Sequence, residues 1–143
     1  MRNFSGHFDS RFIDGRKWLL LSRFSYRDEK FGELSIPQIT RGEKLYGFVT
    51  DGASIPRFAW PIIGTPEQFD MAAVIHDYLY CVKCFSRRDC DEILRRALLD
   101  MDCPKWKAEV MFCAVRLFGG SVWDRRGFIR IADCGEDFAE IVP

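Results

Sequence analysis

Apolar and polar residues mix along the first half of the chain in the manner of β-strands. The segments Lys17 to Arg27, Leu34 to Ile39 and Leu45 to Thr50 combine aromatic and aliphatic residues with polar ones over short lengths. Pro37 indicates an edge position for the second segment, because proline has no N–H to donate to a neighbouring strand. We expect antiparallel strands in a strand-rich region over residues 1–56.

The hydrophobic spacing then changes to that of helices. Three segments follow, with predicted starts at Thr65, Ser86 and Pro104, and the last ends at Gly119-Gly120. Residues 65–119 therefore predict a bundle of about three helices. The apolar positions of the three segments are Met71, Val74, Ile75, Tyr78 and Val82, then Ile93, Leu94, Ala97, Leu98 and Met101, then Trp106, Val110, Met111, Ala114, Val115, Leu117 and Phe118.

The remaining residues, 120–143, read as a short tail with one predicted strand, Gly127 to Ile131. A chain of 143 residues has the usual size of one domain, and its hydrophobic content of 48% is sufficient for a core. The expected fold is α+β in a single domain over residues 1–143, with antiparallel strands first and helices after them.

Charge and hydropathy narrow the classes of function. Lys plus Arg equals Asp plus Glu at 21 each, so the formal net charge is zero. A protein that binds nucleic acid by neutralising phosphates carries a basic excess, so we expect no nucleic-acid partner. No apolar run approaches the roughly 20 residues of a membrane-spanning helix, and no signal-peptide pattern is present. These features predict a cytoplasmic protein without a transmembrane segment.

The six cysteines permit two interpretations. In a reducing compartment they are expected to be thiols, buried or half-exposed, rather than disulfides. Cys81 and Cys84 also have the spacing of half a zinc site, which Cys90 and His76 would complete. A second paired cluster of ligands is missing from the sequence, so ordinary thiols are favoured over a zinc module.

The segment 73–80 carries the chemistry that the sequence indicates. His76 and Asp77 are adjacent and point about 100° apart on a helix, while Tyr80 shares the face of His76. Asp91 falls near the start of the next helix and can approach His76, because a short connection makes consecutive helices antiparallel neighbours. A histidine held by an aspartate is the arrangement of a general base. Asp77 would then be free to hold a hard cation such as calcium or magnesium.

Other roles for these residues stay open. His76 is flanked by an apolar stripe and is equally consistent with a hydrogen-bonded core residue. Asp51 precedes a glycine in the turn 50–54, where an aspartate commonly stabilises the turn through its own backbone. The alternative is that Asp51 joins Asp77 as a second acidic ligand of the cation.

Three strings in the chain resemble a phage- and prophage-encoded family known as domain of unknown function 1353. They are Gly-Phe-Val-Thr-Asp-Gly-Ala-Ser-Ile-Pro-Arg at 47–57, Ala-Val-Ile-His-Asp-Tyr-Leu-Tyr at 73–80 and Ala-Val-Arg-Leu-Phe-Gly-Gly at 114–120. The resemblance spans about residues 17 to 123. It implies a phage or prophage origin, and hence a location in the host bacterial cytoplasm or in the virion, but no established reaction.

The helix that holds His76 is also similar to that of secreted and parvoviral phospholipases A2, which carry His-Asp-x-x-Tyr and a partner aspartate on the next helix. This resemblance implies that His76 activates water, that Asp91 orients it, that Tyr80 bonds to Asp91 and that Asp77 binds calcium. The glycine-rich calcium loop of those enzymes has no close copy here. The resemblance therefore supports a water-activating site more than it supports a lipid ester as substrate.

Two functions follow from the sequence. The first is a phage-encoded, metal-assisted hydrolase acting on a lipid or cell-envelope ester or amide, with a divalent cation, for which calcium is favoured over zinc. The alternative is a non-enzymatic virion component, such as a tail, baseplate or accessory piece that binds other phage structural proteins. The neutral charge and the apolar residues Phe58 and Trp60 support the alternative.

Overall fold

The computed structural model describes residues 3–6, 9–14, 17–50, 61 and 70–134 of the chain. Strands come first and helices follow, which confirms the predicted α+β class. The strands are β1 (Phe4–Gly6), β2 (Ser10–Asp14), β3 (Lys17–Leu20), β4 (Phe24–Asp28), β5 (Gly32–Ile36), β6 (Ile39–Arg41), β7 (Lys44–Thr50) and β8 (Ile131–Asp133). The helices are α1 (Asp70–Val82), α2 (Arg87–Asp100), α3 (Lys105–Phe118) and α4 (Gly120–Arg125).

The strands form two antiparallel sheets. One has the order β1-β4-β5, and the other has the order β2-β3-β7-β6 with β8 paired to β7. The last strand of the N-terminal region, β7, reaches Thr50, which pairs with Trp18 of β3 and is buried. The end of β7 therefore places the buried hydroxyl of Thr50 next to the helices that hold the candidate site.

The predicted strand from Lys17 to Arg27 is two strands in the structure, β3 and β4, and they belong to different sheets. The segment divides its side chains between two clusters, since Leu19 packs with Val49 and Ala132 whereas Leu20 and Tyr26 pack in the main core. The N–H of Leu21 still donates to the carbonyl of Asp9, one position beyond the end of β3, and the chain then bends at Ser22 before β4 begins.

Two further predictions about strands need correction. The segment from Leu34 to Ile39 is divided into β5 and β6 at Pro37, which lacks the N–H that a continuous strand needs. The tail strand predicted over Gly127 to Ile131 is instead β8, which starts at Ile131. Strands β1 and β2, in the region before Lys17, had no sequence prediction.

The helix starts and ends agree with the sequence where the structure describes them. Ser86 caps α2, its hydroxyl accepting from the N–H of Asp89 at 3.1 Å. Helix α3 begins after Pro104 and ends before Gly119. Gly119 keeps right-handed backbone angles (φ −79°) instead of the left-handed stop, so the chain continues directly into α4. The predicted start at Thr65 lies outside the described residues.

Helix α1 is more enclosed than a single apolar stripe predicts. Besides the expected Met71, Val74 and Ile75, its other sides bury Ala73 and Leu79. A helix that is apolar nearly all round lies inside a core, and α1 packs in one cluster with residues of β3–β5, β7, α2 and α3. Polar groups on α1 must consequently find their partners within the protein. No helix among the described residues has both the length and the apolarity to cross a bilayer.

A buried carboxylate connects the first sheet to α2. Asp28 accepts from the guanidinium of Arg96 at 2.6 Å and from the backbone N–H groups of Lys30 and Phe31 at 2.8 and 3.1 Å. Burial raises the pKa of Asp28, but these hydrogen bonds and the charge of Arg96 outweigh it and hold the pKa below its usual range. Asp28 therefore stabilises the fold in its ionised form.

We predict that Asp28→Asn removes an acid-sensitive part of the stability. Because the pKa of Asp28 is lower in the folded than in the unfolded chain, its contribution is complete above the unfolded pKa of about 4 and is lost as pH falls through the folded value. Urea unfolding at pH 7 should show a loss of about 1–3 kcal/mol, and that loss should shrink toward pH 3. The matched control is Glu29→Gln, at an exposed neighbour. Equal losses in the two variants would contradict the prediction.

Gly47 marks a close approach between β7 and β3. A Cβ placed at Gly47 would overlap the carbonyl oxygen of Leu20, a backbone atom that cannot rotate away, whereas one at Gly120 meets nothing within 4 Å. We expect Gly47→Ala to destabilise the protein by at least about 3 kcal/mol through overpacking. Gly120→Ala should change the stability by at most about 0.5 kcal/mol. Thermal and urea unfolding of the pair measure both values, and similar stabilities would refute the predicted contact.

Candidate functional site

The centre of the candidate site is a hydrogen-bonded pair, His76 and Asp91, that joins α1 to α2. His76 lies in the middle of α1 and Asp91 in the first turns of α2, and both side chains are 0% exposed. The Nε2 atom of His76 lies 2.7 Å from Oδ1 of Asp91. The cap at Ser86 starts α2 where Asp91 falls beside α1, so the antiparallel helix pair brings together the two residues as the sequence predicts.

Two further side chains donate hydrogen bonds to the Asp91 carboxylate. The hydroxyl of Tyr80 donates to Oδ1 at 2.6 Å, and Nη1 of Arg116 on α3 donates to Oδ2 at 2.9 Å. Arg87 lies 4.0 Å from Oδ2 and also donates to the carbonyls of Val115 and Arg116 at the end of α3. The carboxylate thus ties the three long helices to one another.

Gly119 leaves room for this arrangement. A Cβ at Gly119 would lie 2.9 Å from the hydroxyl oxygen of Tyr80 and would overlap the carbonyl of Val115. The ring of Tyr80 also packs against His76, with centroids 4.2 Å apart, and edge-on against Trp123 of α4 at 5.1 Å. The glycine that sequence analysis assigned to a helix stop therefore also admits the tyrosine to Asp91.

The electrostatics of the site favour an ionised Asp91. Burial raises the pKa of Asp91, but the hydrogen bond and charge of His76, the hydroxyl of Tyr80 and the guanidinium of Arg116 outweigh burial and hold the pKa below its usual range. Burial, with the hydrogen bond and charge of Asp91, raises the pKa of Tyr80. At neutral pH the pair is therefore a carboxylate and a neutral phenol.

An ionised Asp91 determines which nitrogen of His76 carries the proton. A carboxylate only accepts hydrogen bonds, so the Nε2 atom must be the donor to Asp91. In a neutral ring the other nitrogen, Nδ1, then keeps its lone pair. Nδ1 is buried, and no hydrogen-bond partner for it is found in the structure as described. The imidazole is thus held at one nitrogen and has an acceptor available at the other.

Asp77 lies in a separate polar contact on α1. Its Oδ2 accepts from the hydroxyl of Thr50 at 2.7 Å, and its Oδ1 lies 3.3 Å from Nη2 of Arg126. The second sheet and the segment after α4 therefore both reach Asp77. The structure places a guanidinium beside the carboxylate that the sequence assigned to a cation.

The calcium pair predicted from the sequence can be compared with the structure only in part, because Asp51 lies outside the described residues. Among the described residues, no group of three or more His, Cys, Asp or Glu side chains forms a set that could hold a metal ion.

The cysteines also form no such group within the described residues. Cys81 and Cys90 are buried and Cys84 is exposed. Burial and the charge of Asp91 raise the pKa of Cys90 to about 12, so it is a protonated thiol at neutral pH. Among the described residues, these three cysteines and His76 do not form the metal-binding group that the less favoured zinc interpretation requires.

Sequence analysis did not find the charged residues that surround the two aspartates. Arg116 had a signal, since it is the one charged residue in the apolar run from Val110 to Phe118, and a lone charge on a core helix needs a buried partner. Arg87 and Arg126 stand in Arg-Arg pairs, which by themselves are typical of a solvated surface. Thr50 had no signal beyond its position at a strand end.

Two curated relatives are similar to this chain. The uncharacterized protein y4jT of Sinorhizobium fredii (strain NBRC 101917 / NGR234) is 34% identical over 102 residues, which are 70% of this chain and 28% of that protein. The uncharacterized protein y4iH of the same strain is 37% identical over 73 residues, which are 49% of this chain and 30% of that protein. The matched regions span less than a third of each relative. No solved structure matches.

A family profile described as "Protein of unknown function (DUF1353)" matches residues 18–115. The match covers the candidate residues on α1 and α2, and it ends one residue before Arg116. Because it takes in well over half of the chain, the protein belongs to the DUF1353 family.

Proposed function

We propose that this protein is a phage-encoded hydrolase in which His76, held by Asp91, activates water to attack an ester or amide of a lipid or of the cell envelope. One observation carries the proposal most strongly. The Nε2 atom of His76 is bound to an ionised carboxylate, while Nδ1 is an acceptor without a hydrogen-bond partner among the described residues. A general base needs one nitrogen held in place and the other available to take a proton.

The reaction follows from that geometry. Nδ1 removes a proton from a water molecule while the water oxygen attacks the carbonyl carbon of the substrate. Asp91 stabilises the imidazolium that forms, because its carboxylate accepts from Nε2 throughout. As the tetrahedral intermediate collapses, the bond to the leaving oxygen or nitrogen breaks and the imidazolium returns its proton to that atom. The products are a carboxylic acid and an alcohol or amine.

Tyr80 and Arg116 act as positioning residues in this proposal. Tyr80 shares Oδ1 of Asp91 with His76, and Arg116 binds Oδ2 from the opposite helix. These two hydrogen bonds hold the carboxylate in one orientation. The carboxylate in turn fixes the plane of the His76 imidazole. The lipid or envelope substrate and the phage origin rest on the similarity of the motifs alone.

Calcium at Asp77 is a separate part of the proposal. A divalent cation there must compete with the guanidinium of Arg126, which lies 3.3 Å from Oδ1. Hard cations bind carboxylate oxygens, and Asp51 would be a second such ligand. Calcium would replace Arg126 as the cationic partner of Asp77. Removal of the charge of Arg126 should therefore strengthen calcium binding.

A virion component without catalysis is the second candidate function. The observation that favours it is burial, because His76 and Asp91 are both 0% exposed. Buried polar networks also occur as purely structural features that rigidify a core. Under this alternative the network serves stability alone, and the partners are other phage structural proteins.

Hydrolysis by His76 predicts a specific ranking of variants. His76→Gln should lower the rate on short-chain esters and phospholipids by at least about a hundredfold, because the base is lost. Tyr80→Phe should lower it less, since the base remains but its partner is less constrained. The matched control is Tyr26→Phe, which removes another buried hydroxyl that donates to a carboxylate, that of Asp100, at 2.7 Å. It should leave the rate unchanged.

Circular dichroism and thermal unfolding establish that each of these variants is folded. A folded His76→Gln protein with the wild-type rate would exclude the base. A wild-type protein that hydrolyses none of these substrates, together with normal incorporation of His76→Gln into phage particles, would favour the virion component instead.

The calcium part of the proposal is tested by thermal unfolding during a calcium titration. A ligand that binds only the folded protein raises its melting temperature as the concentration rises. We expect this shift for the wild type and not for Asp77→Asn, and we expect Arg126→Gln to reach the same shift at a lower calcium concentration. Absence of a shift in both the wild type and Arg126→Gln would remove calcium from the proposal and leave the His76–Asp91 base in place.

A further inference from the structure

Helix α3 has apolar residues on two opposite faces. Its inner face buries Ala108, Met111 and Val115 in the core. On the outer face, apolar residues recur at spacings of four, three and four, which aligns them along the helix. We call this set the α3 stripe, and its members are Trp106, Val110, Cys113 and Leu117.

Much of the α3 stripe is open to solvent. Trp106 is 52% exposed and Leu117 is 76% exposed, Cys113 is exposed, and Val110 is half-buried. Phe118, next to Leu117, is 49% exposed. Val110 also packs against the core, so the exposed members of the stripe are Trp106, Cys113 and Leu117. Single exposed apolar residues are ordinary, but several along one helix face are typical of a surface that binds something.

The charges around the α3 stripe are mainly basic. The segment 105–126 holds five basic and two acidic residues, in a chain whose net charge is zero. Arg116 and Arg126 lie against the buried Asp91 and Asp77, so Lys105, Lys107 and Arg125 supply the basic character of the surface. Lys105 and Lys107 flank Trp106, and the ammonium of Lys107 lies 5.6 Å from the ring centroid of Trp106. Glu109, the one acidic residue of α3, is paired with Arg95 at 2.8 Å. The surface therefore combines an apolar row with positive charge.

We propose that the α3 stripe docks the protein on an anionic lipid surface. Trp and Leu side chains would enter the boundary between headgroups and acyl chains, and the lysines would contact the anionic headgroups. Charge disfavours a second copy of this chain as the occupant. Parallel pairing of two stripes would set the lysines of one copy, Lys105 and Lys107, against those of the other.

The docking surface rests on the proposed function. It narrows the proposed substrate class to lipids that are assembled in a bilayer. Leu117 directly follows Arg116, whose guanidinium donates to Asp91 at 2.9 Å. Helix α3 would therefore present apolar side chains to a lipid surface, and it also carries Arg116, which positions the carboxylate of Asp91. Contact with lipid would occur next to the candidate site.

Vesicle co-sedimentation tests the docking surface. The probes are phosphatidylglycerol vesicles and phosphatidylcholine vesicles, each mixed with the full chain at low and high salt. We expect binding to phosphatidylglycerol that weakens with salt, and weaker binding to phosphatidylcholine. The double variant Trp106→Ser/Leu117→Ser should bind at least about tenfold more weakly. The control is Leu45→Ser, which removes a leucine 40% exposed on β7 and should bind like the wild type.

Three results would contradict the proposed docking surface. They are absence of binding to phosphatidylglycerol vesicles, unchanged binding by the double variant, and a loss of binding in the Leu45→Ser control equal to that of the double variant. Sedimentation equilibrium adds another test, because a wild-type dimer that the double variant dissociates would show that a second copy covers the stripe.

The docking surface and the hydrolase can fail separately. His76→Gln should bind vesicles as the wild type does, because the His76 side chain is 0% exposed and does not reach the surface that would meet the lipid. Vesicle binding without hydrolysis would therefore contradict the hydrolase alone. Hydrolysis of a short, water-soluble ester without vesicle binding would contradict the docking surface alone.

Discussion

The neutralisation of Asp91 is the constraint on which the arrangement of the helices depends. A carboxylate that is 0% exposed is costly to bury unless other groups compensate its charge and its lone pairs. Here the compensation comes from every long helix, with His76 and Tyr80 on α1, Arg87 on α2 and Arg116 on α3. Removing any one of them leaves the same buried charge for the others to satisfy. The network therefore couples helix packing to the chemistry of a single histidine.

That coupling gives His76 its proposed role. The ionised carboxylate accepts from Nε2, which leaves Nδ1 as the acceptor in the neutral ring. Asp77, the next residue, points elsewhere on α1 and binds Thr50 and Arg126. The two adjacent polar residues thus belong to two different networks, one between helices and one between α1, the second sheet and the segment after α4. Their side chains reach different partners because adjacent positions on a helix point about 100° apart.

Local signals account for what the sequence predicted well. The Ser86 cap, the helical spacing and the short α1–α2 connection were sufficient to place Asp91 beside His76 and Tyr80, because these depend on neighbouring segments of chain. Sequence could not reveal that Arg116 and Arg87 converge on the same carboxylate, since that depends on how α3 packs across the pair. Nor could it show the break between β3 and β4, where a run with uniform strand character divides between two sheets.

The most direct test of the account is the position of the proton on the His76 ring. Nitrogen-15 NMR of the imidazole, in a His7→Gln background that leaves one histidine, distinguishes a protonated nitrogen from one with a free lone pair. In the neutral ring we predict a proton on Nε2 and a lone pair on Nδ1, with the pattern lost in Asp91→Asn. A proton on Nδ1 would contradict the account, because the nitrogen proposed to accept a proton from water would already hold one.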